Sequence, residues 1–478
     1  MRAETTAATG SRTTGADASW LPLVACCLGT FLLLLYTTIV NVSLPRIGAG
    51  LHAGYAGTQW IIDVYTLAVA GLLLGAGALN DVLGSKRVYV TGLAVFGLAT
   101  LGCGLAGSAV VLIAARAAQG IAGAAMFAAI LPLIGLTYTG RQRATAFAVW
   151  GAVAGAAGAV GTVAGGVLTE YAGWRWTFLG ALPICAAAVV LAATTLAGTP
   201  RGAERSGPVR IDWPGIAAIT AAVTGLAYAL IVAGESGSGP YGTLAGLAVA
   251  AVAGTAFVLV ERRSARPILP LKLFGTRTFV GVLLVAFGYY FAAYGALPAV
   301  SVWLQDGRMG SLGASLVLTA QLVVFVAVSG LVSARLHGLP PSRTLGGGTI
   351  AIGLGCLSGL ALLAWPHWAV LVPFLILTGL GAGVVSPVFP AVAVASVPPA
   401  YAGTAGAAAN SSRQLGLALG IAVCGTVYHA LSHAAGGATT GLAAALAGAG
   451  LLALVCGAVA VRLLRAGRRA VRDAAAGS

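Results

Sequence analysis

Apolar residues in this chain fall into long runs broken by short polar and basic interruptions, and the runs set the expectations that follow. Stretches such as Leu244 to Val260 and Thr344 to Ala364 hold about 17 to 22 largely apolar residues, enough at ~1.5 Å per residue to cross a ~30 Å hydrocarbon layer. Backbone amides in lipid must bond within their own segment, so each run is predicted to be a helix. The ten-residue alternating segments of a membrane barrel do not occur. Read against their interruptions, the runs place spans near 20–41, 58–80, 87–107, 109–135, 141–168, 176–197, 213–234, 241–260, 277–304, 311–335, 344–364, 368–393, 402–430 and 438–462. Fourteen spans, an even number, return both chain ends to one side.

Composition agrees with that pattern: 59% of the 478 residues are hydrophobic and 8% are charged, too much apolar sequence for a soluble fold to hide. The net charge of +15 is an orientation signal. The face carrying both termini collects 21 of the 26 basic residues and the opposite face only Arg46, Arg175 and Arg308, while Arg116 and Arg413 lie within spans. By the positive-inside rule both termini are cytoplasmic, in a bacterial inner membrane. Basic groups scattered over short loops without interleaved aromatics give no reason to expect nucleic acid. The Arg-rich tail is read as solvated, with contact to anionic lipid as the alternative. Met1 to Ser19 lacks the apolar core and cleavage site of a signal peptide and reads as a cytoplasmic tail. The seven cysteines fall inside spans without metal-ligand spacing and are read as packing residues; neither they nor the histidines suggest a metal site.

The segment after span 2, Gly77-Ala-Leu-Asn-Asp81-Val-Leu-Gly84-Ser-Lys86-Arg87, has a degraded echo after span 10 in Gly330-Leu-Val-Ser-Ala-Arg335. These fall in corresponding loops if spans 7 and 8 are an insert between two six-helix bundles. The predicted organisation is a tail at 1–19, a first bundle at 20–197, linkers plus two inserted helices at 198–276, a second bundle at 277–462 and a basic tail at 463–478.

Gly77, Asp81, Gly84, Lys86 and Arg87 sit in a loop that resembles the signature of the major facilitator superfamily, in the place where that family carries it. The resemblance implies a conformational latch: glycines for a tight turn, and a charge network joining the bundles in one state. Val82 and Ser85 stand where the family often has basic residues. Arg116-x-x-Gln119-Gly120 in span 4 is similar to a second signature, whose arginine the family links to proton transfer. Gly158, Gly161, Gly165 and Gly166 in span 5 resemble the antiporter signature, with Thr162 in place of the family's proline; such glycines let helices pack closely. Asn410-x-x-Arg413-Gln414 in span 13 matches the pattern of the second bundle. The resemblance runs from Trp20 to Arg462 and points to the fourteen-span drug:proton antiporters. It implies an all-α major facilitator fold, arranged 6+2+6, that exports hydrophobic drugs, antibiotics or secondary metabolites by alternating access and needs no cofactor beyond a proton gradient.

Span 1 departs from the family. Its signature, Leu35 to Pro45, carries Tyr36 where proton-coupled relatives have an aspartate. A phenol with an unperturbed pKa near ~10 does not cycle protons at neutral pH, though it can hydrogen-bond a substrate. Of the eleven acidic residues, only Asp63 lies within a predicted span. Counted at ~1.5 Å per residue, Asp63, Arg116 and Tyr36 fall ~8 to 10 Å from the outer ends of their spans, in one depth band. The expectation is that Asp63 takes protons from outside and alternates between a desolvated site and the neighbourhood of Arg116; a fixed structural bond of Asp63 is the alternative. Tyr36, Thr38, Asn41, Gln119, Trp150, Tyr290, Tyr294, Asn410 and Arg413 are the candidate lining of a substrate cavity, suited to a partly aromatic, neutral or singly cationic organic compound.

The missing family acid keeps a proton-independent facilitator or uptake carrier open as a rival. Paired catalytic groups are lacking, so an enzyme is not expected. With no phosphate-binding loop the energy should come from an ion gradient. A monomer is expected, with the substrate, protons and lipid as its partners.

Overall fold

The computed structural model describes residues 19–196, 212–233, 240–264, 270–336, 339–398, 401–432 and 437–476. The tail at 1–18 and most of the first linker lie outside these. Fourteen helices among the described residues are long and apolar enough to cross a membrane: Leu21–Leu51, Tyr55–Leu73, Ser85–Gly104, Ala109–Thr137, Thr145–Tyr171, Trp176–Thr195, Trp213–Ala233, Tyr241–Arg263, Arg277–Gln305, Ser311–Leu331, Ser342–Leu363, Trp368–Ala395, Thr404–Ser432 and Gly437–Ala466. They are spans 1 to 14 below. The pole where span 1 begins and span 14 ends is the terminal pole, and the opposite one the far pole.

Span 1 is longer than its sequence suggests. It continues through Pro45 to Leu51, where the proline and Arg46 had marked an end. Pro45 lacks the N–H that would close on the Asn41 carbonyl, so the helix goes on with one bond missing. The last helix also outruns its membrane segment, reaching Ala476 through the predicted tail. Spans 6, 9 and 12 are each broken, at Gly180–Ala181, Tyr294–Ala296 and Ser386–Val388, and each resumes with a proline in its next first turn.

Two hydrophobic cores form. One gathers side chains of spans 1 to 6, among them Leu32, Tyr89, Phe96, Met126 and Phe178. The other gathers spans 9 to 14 around Trp303, Phe374, Leu446 and Leu345. The bundles are joined across a seam: Val42 of span 1 packs in the second core, and Leu417 and Ile421 of span 13 pack in the first. Span 7 lies against both span 2 and span 13, where Leu67, Ala227 and Ala418 form a small cluster of their own. The arrangement is therefore 6+2+6, with the inserted pair beside one flank of the seam.

Hydrogen bonds and ring contacts across the seam gather toward the far pole. Tyr55 of span 2 donates to Thr426 Oγ1 of span 13 at 3.1 Å and stacks on His429 with centroids 4.0 Å apart. Gln305 of span 9 donates to the Val42 carbonyl at 3.0 Å. The helix of span 2 runs on to Leu83 and turns into span 3 at Gly84, whose φ of +83° suits glycine and is strained for other residues.

Candidate functional site

Arg116 is buried in the first bundle, where its guanidinium has partners on several sides. Nε donates to the Ile61 carbonyl at 3.0 Å, Nη1 donates to Gln119 Oε1 at 2.7 Å, and the cation lies 4.1 Å from the centroid of Tyr65. Gln119 in turn donates to Thr100 Oγ1 at 2.8 Å. The Arg116-x-x-Gln119 spacing accounts for part of this, since residues three apart on a helix share a face. Charge-assisted bonds and a ring face let a buried cation stand without a carboxylate. Gln119 is thus committed inside the bundle, a correction to its expected place on the cavity wall.

Tyr36 needs the same correction. Its hydroxyl donates to the carbonyls of Thr177 and Phe178 at 3.3 and 3.2 Å, and its ring stacks on Phe178 and meets Phe96 edge-on. The phenol supports span 6 just before its break and faces away from the seam. Thr38 donates to the Gly158 carbonyl at 3.0 Å and fixes span 1 to span 5, so it too is a packing residue. A Cβ on Gly161 would strike Thr38 and the Leu35 backbone, one on Gly165 the Ile39 carbonyl, and one on Gly166 Ser315 of span 10. Gly158 has more room, with Leu322 and Thr38 at ordinary contact distance. The span 5 glycines thus lie along a close approach to spans 1 and 10.

Asp63 lies one turn from Gln59 on the stripe of span 2 that faces span 13, between Gln59, which abuts Gly425, and Leu67, which meets Ala418. It is fully buried, and neither carboxylate oxygen has a hydrogen-bond partner; Gln59 Oε1 is unpartnered as well. The expected approach of Arg116 to Asp63 is not made in this conformation. Arg116 grips the backbone at Ile61 and so fixes the segment that carries Asp63. Asp63 and Arg116 share a level, and Tyr36 stands close enough to Arg116 to interact with it electrostatically, although span 1 runs on to Leu51.

Across the seam Tyr290 and Tyr294 touch both cores. The Arg413 guanidinium carbon lies 4.8 Å from the Tyr290 centroid and 5.6 Å from that of Phe389, and Arg413 Nε is unpartnered. Asn41 precedes Val42 and keeps its amide oxygen unpartnered. Asn410 is half-buried on span 13. Trp150 is half-buried nearer the terminal pole and donates to Thr30 Oγ1 at 2.7 Å. The structure thus brings Asn41, Asp63, Tyr290, Tyr294 and Arg413 to the seam and sets Tyr36, Thr38 and Gln119 inside the first bundle. Sequence reasoning missed Gln59, although its place four residues before Asp63 on one helix face was available, and Tyr65, the ring beneath Arg116.

Of the latch residues, Gly84 makes the turn, Gly77 has no neighbour within reach of a Cβ, Lys86 is half-buried and Arg87 exposed. The Asp81 side chain lies outside the described residues.

The major facilitator superfamily model matches residues 26–421 and 282–476. The chain belongs to that superfamily. Its relatives include a puromycin resistance protein of Streptomyces alboniger, 36% identical over 85% of this chain and 81% of that one. A methylenomycin A resistance protein of Streptomyces coelicolor is 33% identical over 96% and 95%, and a cephamycin export protein of Amycolatopsis lactamdurans 36% identical over 87% and 86%. Among solved structures, the POT family transporter PepTSo aligns with a TM-score of 0.67 at 13% identity, covering 95% of this chain and 99% of that one. At that identity the match speaks for the fold alone. This member of the superfamily is a multi-pass membrane protein whose 6+2+6 plan places a seam between two bundles.

Proposed function

We propose that the protein is a secondary active exporter of hydrophobic, antibiotic-like organic molecules, driven by the proton gradient through Asp63. The relatives named for resistance and export support the substrate class and direction. The observation that carries the coupling is a carboxyl group buried at the bundle seam with neither oxygen bonded. An ionised carboxylate there is costly and a neutral one far less so. A switch between bundle arrangements that alternately admits water and seals the group would let it load and release a proton. Tyr36 does not replace the family acid; its hydroxyl is spent on span 6.

In this reading the terminal pole is cytoplasmic, as the basic residues favour, and the far-pole contacts make the conformation inward-facing. Each chain holds a complete seam and works as a monomer. Substrate binds among Tyr290, Tyr294, Arg413 and Asn41, where aromatic faces and open hydrogen-bonding positions meet. The test is ethidium transport by everted membrane vesicles with the proton gradient intact and then collapsed. Wild type should accumulate ethidium only with the gradient, and Asp63→Asn should lose that dependence. Gradient dependence surviving in Asp63→Asn would remove Asp63 from the coupling, and equal transport without a gradient in wild type would favour the facilitator.

A further inference from the structure

At the far pole the seam is crossed by hydrogen bonds that lead from one bundle to the other and back. Glu170, in the last turn of span 5, accepts a bond from the backbone N–H of Ser311 through Oε2 at 2.9 Å. Ser311 is the first residue of span 10, so this N–H belongs to the first turn, which has no partner within its own helix. The Ser311 hydroxyl donates to Gln305 Oε1 at 2.9 Å, and Gln305 Nε2 donates to the Val42 carbonyl of span 1 at 3.0 Å. The hydroxyl of Ser43, next to Val42, shares a 2.7 Å bond with that of Thr169, next to Glu170. With the chain links at 42–43 and 169–170 this closes a ring, and its two seam-crossing steps are Glu170 to Ser311 and Gln305 to Val42.

We propose that Glu170 is a gate residue: its carboxylate caps span 10 across the seam and holds the far pole shut. A side-chain oxygen on a first-turn N–H is the usual N-cap interaction, and a carboxylate there also meets the positive end of the helix dipole. An ordinary N-cap sits on its own helix and survives any rigid-body motion. This one belongs to the other bundle, so the bond is lost when the bundles part and its strength enters the equilibrium between the two states directly. Gly310 leaves room for the carboxylate, since a Cβ there would stand about 3 Å from both its oxygens. Arg308, the charged side chain just before span 10, turns to the Trp303 and Asp306 carbonyls and the Asp306 carboxylate; Arg175, just after span 5, turns to the Ala106 carbonyl.

The proposal rests on the alternating-access reading, but its test measures opening and does not need transport. Val42→Cys places a reporter at a buried seam position, and its reaction with a membrane-impermeant maleimide is followed in protein held in nanodiscs, with the unmodified protein as background. Glu170→Ala should raise the labelling rate by about fivefold, the population change that loss of an N-cap of ordinary strength supports. Ser311→Pro removes the donated N–H, at a helix position that tolerates proline, together with the hydroxyl bond to Gln305, and should raise it at least as much. Ser311→Ala keeps the N–H and should give a smaller rise. The pair Glu170→Ala with Ser311→Pro should do no more than Ser311→Pro alone. Unchanged labelling in Glu170→Ala, or additive rises in the pair, would overturn the gate. Asp63→Asn serves as the separate arm: should it leave gradient dependence intact while Glu170→Ala still opens the far pole, the coupling reading fails and the gate stands.

Discussion

The interior of the first bundle and the seam between the bundles treat polar side chains in opposite ways. Inside, Arg116, Gln119 and Thr100 form a chain of hydrogen bonds, and the Tyr36 hydroxyl reaches two carbonyls. Along the seam, Asp63, Gln59, Asn41 and Arg413 each keep at least one buried polar atom without a partner. The division is incomplete, because Gln321 and Asn80 also hold unpartnered atoms. The two intramembrane arginines show it best: Arg116 donates to a carbonyl and an amide, while Arg413 rests on aromatic faces with Nε open. Saturated networks fix one arrangement. Unsaturated groups leave hydrogen bonds to be made by a substrate, a proton or the other conformation.

The hardest blow to this contrast comes from Arg116→Ala, which strips donors from Ile61 and Gln119 and should cost about 3 kcal/mol of stability, read as thermal unfolding in detergent. Arg116→Lys should recover only part, because an ammonium lacks the fork that reaches both acceptors. A loss below about 1 kcal/mol for the alanine variant, less than a single charged hydrogen bond supplies, would mean the interior network holds little. Next, Gly161→Ala should cost about 2 kcal/mol by overpacking span 5 against span 1. Gly151→Ala, with nothing within reach of its Cβ, should be neutral or stabilising. Tyr36→Phe should lose about 1 kcal/mol with gradient dependence unchanged; altered coupling would return Tyr36 to the transport path. Smallest of the expected losses is Arg413→Ala, with a change on the order of 1 kcal/mol or less. Its effect should appear in transport, as reduced ethidium accumulation by vesicles matched for protein content.

Hydrophobic run length made all fourteen spans legible, because a bilayer imposes one length on every helix. The end of span 1 was not, since a proline and an arginine look like a stop whether or not the helix continues past them. Asp63 stood out in the sequence because an acid within a span is rare. Tyr36, Thr38 and Gln119 were misplaced for one reason: a motif gives position along a helix, whereas the direction a side chain faces depends on how that helix is rotated among its neighbours. Gln305 and Glu170 were equally hidden, as helix-end residues whose partners are remote in sequence.

Span 7 gives the molecule an asymmetry that two bundles alone would lack. It lies along spans 2 and 13, and its Leu230 carbonyl accepts a bond from the Thr426 hydroxyl at 2.8 Å, the same hydroxyl that receives Tyr55. That flank of the seam is walled off from the bilayer by an extra layer of protein. On the opposite flank spans 5 and 10 stand between the seam and the acyl chains without such cover. A lipid-dissolved molecule therefore meets two unequal side walls, and the thinner one is where the glycines of span 5 and the Glu170 bond to span 10 already set how closely the helices meet.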